Sequence, residues 1–177
     1  NQGLTAQYIL HELQELIKGR AIVATDVGQH QMWSAQFSLS IDGRRWLSSG
    51  GAGTMGYGFP ASIGAQFGCP KDLVVAVVGD GGFQMTPQEL GTIMQFGAAV
   101  KILILNNRFL GMVRQWQQLF HDKRYSFVNI TSPDFVALAK AYYIEADKVD
   151  ERANLRAALE TMINHEGSYL LEVMVGR

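Results

Sequence analysis

Two short runs of this chain fit only the inside of a sheet. Residues 73–78 are apolar without a break, and residues 100–105 are interrupted only by Lys101, so neither run alternates in the way a half-wet strand does. Strands of this kind are covered on both faces, which is the habit of parallel sheets. A helix start lies between them: Thr86 and Glu89 have the spacing of a capping box, Pro87 stands at the first helical position, and the helix is expected to run to about Phe96 before Gly97. Strand, helix and strand in that order predict an α/β fold, a mostly parallel sheet with helices on both faces and right-handed crossovers. Such sheets take their ligands at the carboxyl ends of the strands. Both runs end there in unusual sequence, Gly79-Asp80-Gly81-Gly82 after the first and Asn106-Asn107 after the second.

The rest of the chain alternates in the same manner. Thr5 caps an expected helix with Tyr8, Ile9, Leu13, Leu16 and Ile17 at helical spacing, closed by Gly19. Residues 21–25 read as a short buried strand followed by a third polar turn, Asp26-Val27-Gly28-Gln29-His30. Helices are expected over residues 32–38, 59–67 and 110–119, after Ser132-Pro133-Asp134, and from an Asp150 cap to about Asn164; strands are expected over 142–146 and 169–175. One domain is expected over residues 1–177, with a core large enough to need no disulfide. The lone Cys69 reads as a small buried hydrophobe, and single-cysteine usage favours an intracellular setting; bacterial cytoplasm is expected, with an organelle left open because any targeting segment would precede Asn1. The start at Asn1 and the stop at Arg177 just after a strand suggest a piece excised from a longer, multi-domain subunit.

Charge narrows the partners. Fifteen Lys and Arg against sixteen Asp and Glu leave a net charge of −1, and the short basic pairs Arg44-Arg45 and Lys123-Arg124 read as solvated surface, so no nucleic-acid partner is expected. No apolar run approaches the roughly 20 residues of a membrane span, and no membrane partner is expected either.

The chemistry concentrates at the two loaded strand ends. Asp80 and Asn107 would bring a carboxylate and an amide oxygen to one edge of the sheet, hard oxygen donors suited to Mg²⁺ or Ca²⁺ rather than zinc. Glycines beside Asp80 would let backbone N–H groups approach phosphate oxygens, which makes a diphosphate ligand a natural expectation. Taken singly, Asp80 could be an ordinary turn residue and the Asn pair a strand terminator. Their combination with 24 residues between Gly81 and Asn106 argues otherwise.

That triplet, gap and Asn pair resemble the thiamine diphosphate motif. The stretches Val27-Gly28-Gln29-His30-Gln31-Met32-Trp33, Gly53-Thr54-Met55-Gly56-Tyr57-Gly58 and Gly111-Met112-Val113-Arg114-Gln115-Trp116 look like the catalytic subunit of acetohydroxyacid synthase, and the resemblance covers nearly the whole chain. It implies a thiamine diphosphate-binding fold, the carboxyl-terminal diphosphate-binding domain of such a subunit, with Mg²⁺ held by Asp80, Asn107 and the main-chain carbonyl of Phe109. Gln29 and His30 would touch the diphosphate, with Gly28, Gly81 and Gly82 supplying close backbone. Gly53 and Met55 would meet the aminopyrimidine and the space between the cofactor's rings, Met55 holding the bent form, while Gly111 and Met112 line the same pocket. Trp116, with Met112, would face the second substrate. The resemblance further implies pyruvate and 2-oxobutanoate as 2-oxo acid substrates, and a partner catalytic subunit whose amino-terminal domain brings the activating glutamate. No catalytic acid is identified in this chain itself, and the isolated domain is expected to be inactive. The use of FAD, whose contacts would lie mostly in a middle domain, and of a regulatory small subunit is left open by the sequence. Gly82 stands where many relatives carry Ser, and Arg108-Phe109 where some carry acidic residues; neither change removes a ligand.

Rival readings remain at this level. Gly51-x-Gly53-x-x-Gly56 satisfies a dinucleotide fingerprint, with Asp80 as a ribose ligand. Pyruvate oxidase, glyoxylate carboligase and benzoylformate decarboxylase share the thiamine diphosphate domain. A non-enzymatic interaction module would leave the loaded strand ends without a purpose. Without the resemblance, Met55, Met112 and Trp116 read as core, and His11, His121 and His165 as surface.

Overall fold

The computed structural model describes residues 3–37 and 45–176. Ser38, at the expected end of the second helix, and Arg44, of the first basic pair, lie outside the described residues. Among the described residues six strands form one sheet in the order β2-β1-β3-β4-β6-β5. They are β1 Ile22–Thr25, β2 Trp46–Ser48, β3 Val74–Gly79, β4 Lys101–Asn106, β5 Glu145–Val149 and β6 Tyr169–Met174, and every neighbouring pair is parallel. The helices are α1 Ala6–Ile17, α2 Gln29–Phe37, α3 Gly58–Gly68, α4 Asp80–Phe83, α5 Leu90–Phe96, α6 Gly111–Phe120, α7 Phe135–Ala141 and α8 Arg152–Asn164. None of the described helices is long and apolar enough to cross a membrane.

The two apolar runs become β3 and β4 at the centre, each buried at every position, Lys101 included. Alternate residues serve opposite faces. Val75, Val77, Leu103, Leu105, Leu171 and Val173 pack with α1 and α8, around Ile9, Leu13, Leu155 and Leu159. Ala76, Val78, Ile102, Ile104 and Leu170 pack with α3, α5 and α7, around Phe59, Ile93 and Phe135. Both faces are therefore closed to water, and burial of each large side chain contributes roughly 1.5–3 kcal/mol.

After β1 the chain steps outward to the edge strand β2, then returns past β1 to build β3 and β4 on its other side. The loops leaving β1 and β3 thus diverge, which opens a crevice above their carboxyl ends, where open α/β sheets hold ligands.

Local expectations fail where tertiary partners compete for the same atoms. Thr86 forms no side-chain cap; its hydroxyl donates to the Gly56 carbonyl at 3.3 Å, and Glu89 accepts instead from the Thr92 hydroxyl at 2.7 Å. The expected helix accordingly splits into a 3₁₀ turn, Pro87–Glu89, followed by α5. Gly79 is extended, and the residues after it, expected as loop, form the single-turn α4. The fifth strand is shifted to Glu145–Val149, and Glu151 rather than Asp150 stands at the N-cap of α8, its carboxylate accepting from Asn154 Nδ2 rather than capping a backbone N–H. Cys69 is exposed, since it follows the last turn of α3 on the outer surface. Thr5 caps α1 as expected, accepting from Tyr8 N, and Asp134 caps α7, accepting from Ala137 N.

Candidate functional site

A cavity of about 240 Å³ occupies the crevice and is lined by the first turns after β1, β3 and β4. Gly28, Gln29, His30, Gly53, Met55, Asp80, Gly81, Gly82, Asn107, Phe109, Gly111 and Met112 all line it. Eighty-four positions separate the first of these from the last, and the parallel register gathers them: Gly79 pairs with Leu105, so Asp80 and Asn106 follow on the same rung.

Asp80 is 1% exposed, and its Oδ2 accepts from the Ser132 hydroxyl at 3.0 Å. Burial pushes its carboxyl above the ordinary range, opposed by the Ser132 hydroxyl and by backbone N–H groups of Asp80, Asn107 and Arg108. No ion pair reaches it among the described residues. The chain beyond β4 turns sharply against this carboxyl. Asn106 Oδ1 accepts from Arg108 N at 3.1 Å, Asn107 Oδ1 accepts from Phe109 N at 3.0 Å, and Arg108 takes a left-handed φ of 60°. Leu110 N donates to Val128 O at 2.8 Å and Ile130 N to Arg108 O at 3.1 Å, which fastens the turn to the segment before α7.

The donor set fits a hard divalent cation. A buried carboxyl without a cationic partner stands beside amide and carbonyl oxygens, and the described residues hold no cluster of three His, Cys, Asp or Glu that would suit a softer metal. Mg²⁺ commonly takes one or two carboxylates and leaves the rest of its shell to phosphate oxygens.

His30 is 8% exposed, and its Nε2 has no hydrogen-bond partner. A Cβ at Gly79 would lie 2.9 Å from its ring, so only glycine leaves room for the imidazole at the end of β3. Desolvation holds its pKa at about 4, despite the nearby Asp26 carboxylate and a hydrogen bond with the Asp26 backbone, so the ring is neutral at pH 7. Gln29 reaches across the cavity mouth, donating through Nε2 to Gln115 Oε1 at 2.8 Å.

Sequence reasoning missed two residues here. Asp26 is fully buried and acts as a three-way acceptor: Oδ1 takes Val27 N at 2.8 Å and Gly56 N at 3.1 Å, and Oδ2 takes Gly58 N at 2.8 Å. It thereby holds the loop that carries Gly53 and Met55. A Cβ at Gly82 would collide with Asp26 Oδ1, which explains glycine at that position. An acid directly after a short buried strand was the available signal. Ser132 was read as a helix start, although it contacts Asp80 across 52 residues of sequence; nothing local reveals that.

Trp116 does not line the cavity. It lies on α6, 53% exposed, with its indole stacked on Phe120 at 5.0 Å. That helix has no buried residue. Among the remaining histidines, His11 and His121 are exposed, while His165 is half-buried with its ring edge-on to Tyr169 at 5.4 Å. The dinucleotide reading fails on topology: Gly51-x-Gly53-x-x-Gly56 follows the three-residue edge strand β2, and β1 stands between that strand and the one that ends at Asp80.

Comparison with known proteins agrees with this geometry. The family described as thiamine pyrophosphate enzyme, C-terminal TPP-binding domain, matches residues 26–173. The acetolactate synthase large subunit of Pyropia yezoensis is 51% identical over 175 residues, which is 98% of this chain and 29% of that protein. The acetolactate synthase isozyme 2 large subunit of Escherichia coli (strain K12) is 46% identical over 98% of this chain and 32% of its own length. The chloroplastic acetolactate synthase of Arabidopsis thaliana is 44% identical over 98% of this chain and 27% of its own length. The chain spans about 29% of the length of the first of these relatives.

Proposed function

The chain belongs to the C-terminal TPP-binding domains of thiamine pyrophosphate enzymes, and on that premise we propose that it is this domain of an acetolactate synthase large subunit, binding thiamine diphosphate through Mg²⁺. The observation that carries the proposal is the Asp80 carboxyl, buried without a cationic partner at the fork of the sheet and faced by the turn that holds Asn107 and Phe109. Asp80, the Asn107 side-chain oxygen and the Phe109 carbonyl would hold the cation, whose remaining positions go to diphosphate oxygens.

Gly28, Gly81, Gly82 and Gly111 leave the backbone open to those oxygens. His30, neutral and with Nε2 unpartnered, can hydrogen-bond a phosphate oxygen without adding charge, and Gln29 stands beside it. Met55 and Met112 offer soft, adaptable apolar surface on the organic side of the cavity, next to Gly53. Bound thiamine diphosphate supplies an electron sink next to the carbonyl of a 2-oxo acid. This chain's residues bind it, orient it and keep water from one side. Asp80 is the one carboxylate among the described lining residues, and the cation would occupy it. As the resemblance implies, the acid that activates the cofactor would come from a partner catalytic subunit, and the chain alone would not turn over. In the assembled enzyme one pyruvate would lose CO₂ and its two-carbon unit would join a second pyruvate or 2-oxobutanoate, with Trp116 meeting that acceptor once a partner covers α6.

Calorimetric titration with thiamine diphosphate, with and without Mg²⁺, tests the core of this reading. Binding that needs Mg²⁺ and disappears in Asp80→Ala is expected. Metal-independent binding of NAD in its place would overturn it.

A further inference from the structure

At the carboxyl edge of the sheet, on the face otherwise packed with Ile102, Ile104 and Phe135, five polar side chains run in a line across four strands. Lys148 on β5 donates to Glu172 Oε1 on β6 at 3.3 Å. The same oxygen accepts from Asn106 Nδ2 on β4 at 2.7 Å. Asn106 Oδ1 lies 3.4 Å from the Ser132 hydroxyl, whose nearer acceptor, at 3.0 Å, is Asp80 Oδ2 at the end of β3. Glu172 and Asn106 are each 2% exposed, whereas the Lys148 side chain is 44% exposed.

A carboxylate buried at the end of an apolar face needs a reason, because an apolar side chain of similar volume is often as stable or more so. Its effect on Asn106 supplies one. An amide has one oxygen and one nitrogen, and Glu172 can only accept, so it draws Nδ2 and turns Oδ1 toward Arg108 N and Ser132. That oxygen pins Arg108 in its left-handed conformation. The pinned turn carries Asn107 and Phe109 to their place beside Asp80. With the amide flipped, Nδ2 would face the Arg108 N–H, donor against donor, and the turn would open.

We propose that Glu172, held by Lys148, is a positioning residue for the divalent-cation site, acting through the Asn106 side chain on the turn that presents Asn107 and Phe109. The inference rests on the cation-site reading given above. Outer partners that orient metal ligands commonly change metal affinity 10–100-fold when removed.

The test measures Mn²⁺ binding by electron paramagnetic resonance, with thiamine diphosphate present, together with amide exchange at Arg108 and Ile130. Glu172→Met should keep or raise thermal stability, lower Mn²⁺ affinity about tenfold or more, and speed exchange at both amides by a similar factor. Glu172→Gln, whose amide oxygen can still accept from Asn106, should stay within about threefold of wild type. If Glu172→Met fails to fold, Lys148→Met, altered at an accessible side chain, should show the same two effects at about threefold. Wild-type affinity and exchange in Glu172→Met, or in Lys148→Met should that variant replace it, would overturn the positioning role while loss of binding in Asp80→Ala left the cation site standing. Unchanged binding in Asp80→Ala would overturn both.

Discussion

Replacing Asp26 by asparagine changes one oxygen for an NH₂ group at nearly constant volume. Oδ1 serves two N–H groups and Oδ2 one, so the variant keeps most by placing its carbonyl at Oδ1. The NH₂ then points at the Gly58 N–H. One hydrogen bond to a charged group is lost, about 1.5–3 kcal/mol, and a buried donor is left facing a donor, about 1–3 kcal/mol more. The expected loss is roughly 3–5 kcal/mol, a large share of the ~5–15 kcal/mol that holds a domain of this kind together. Urea unfolding followed by circular dichroism measures it directly, and the melting temperature should fall by roughly 10 °C at ~2–4 °C per kcal/mol for a chain of this size. The damage should start locally, with faster amide exchange at Gly56 and Gly58 and little change in α8. A loss below about 1 kcal/mol would refute the account of Asp26 as the clasp of the Met55 loop.

Five further outcomes rest on the same geometry. His30 should stay neutral in a nuclear magnetic resonance titration until near pH 4. Because its folded pKa lies below the unfolded value of about 6.5, the unfolded state takes the proton first, and stability relative to His30→Gln should fall by up to about 3 kcal/mol as pH drops from 6.5 to 4. Lys101, buried at the opposite end of β4, donates to the carbonyls of His165 and Gly167, and burial lowers its pKa to about 8. The unfolded chain therefore holds a proton that native Lys101 has released between pH 8 and about 10.5, so stability relative to Lys101→Met should rise across that window. Tyr169, whose phenol donates to Asp147 and whose pKa is raised, acts in the opposite direction above about pH 10. Gly111→Ala places a methyl group against Gln29 and 3.2 Å from Asn107 Nδ2; Gln29 can swing away, so the fold should survive by urea unfolding while Mg²⁺-dependent thiamine diphosphate binding weakens about tenfold. Cys69→Ser, at an exposed position, should change stability by less than about 0.5 kcal/mol in the same assay.

The framework was legible in the sequence because burial on both faces leaves a signature that needs no partner to be read. The apolar runs at β3 and β4, broken only by Lys101, could only be central strands, and a central parallel strand announces its ligand end. Asp80 and Asn107 were found for that reason. Capping was less legible, since Thr86 and Glu89 satisfy the local pattern yet spend their side chains on Gly56 and Thr92, one 30 residues away and one on the next turn. Residues that act by holding others were less legible still. Asp26 is marked only by its place after a buried strand and Ser132 and Glu172 by nothing local, because their contacts reach across 30, 52 and 66 residues of sequence. Trp116 was read from a resemblance, and its place on a helix with no buried residue could not be seen from spacing, because the amphipathic pattern of α6 is the same whether or not a partner covers it.

The pairing of Gly79 with Leu105 fixes more than topology. Neighbouring strands lie about 4.8 Å apart, a distance set by peptide geometry and indifferent to side chains. Asp80 and the Asn106-Asn107 turn leave the sheet from that one rung, so the gap that the proposed cation would bridge is measured out by the backbone ladder. Loops around the crevice can lengthen, shorten or change charge without touching that gauge. A single residue inserted into β3 or β4 would do the reverse: the sheet could still close, with its oxygens facing the wrong sides and no cation able to join them.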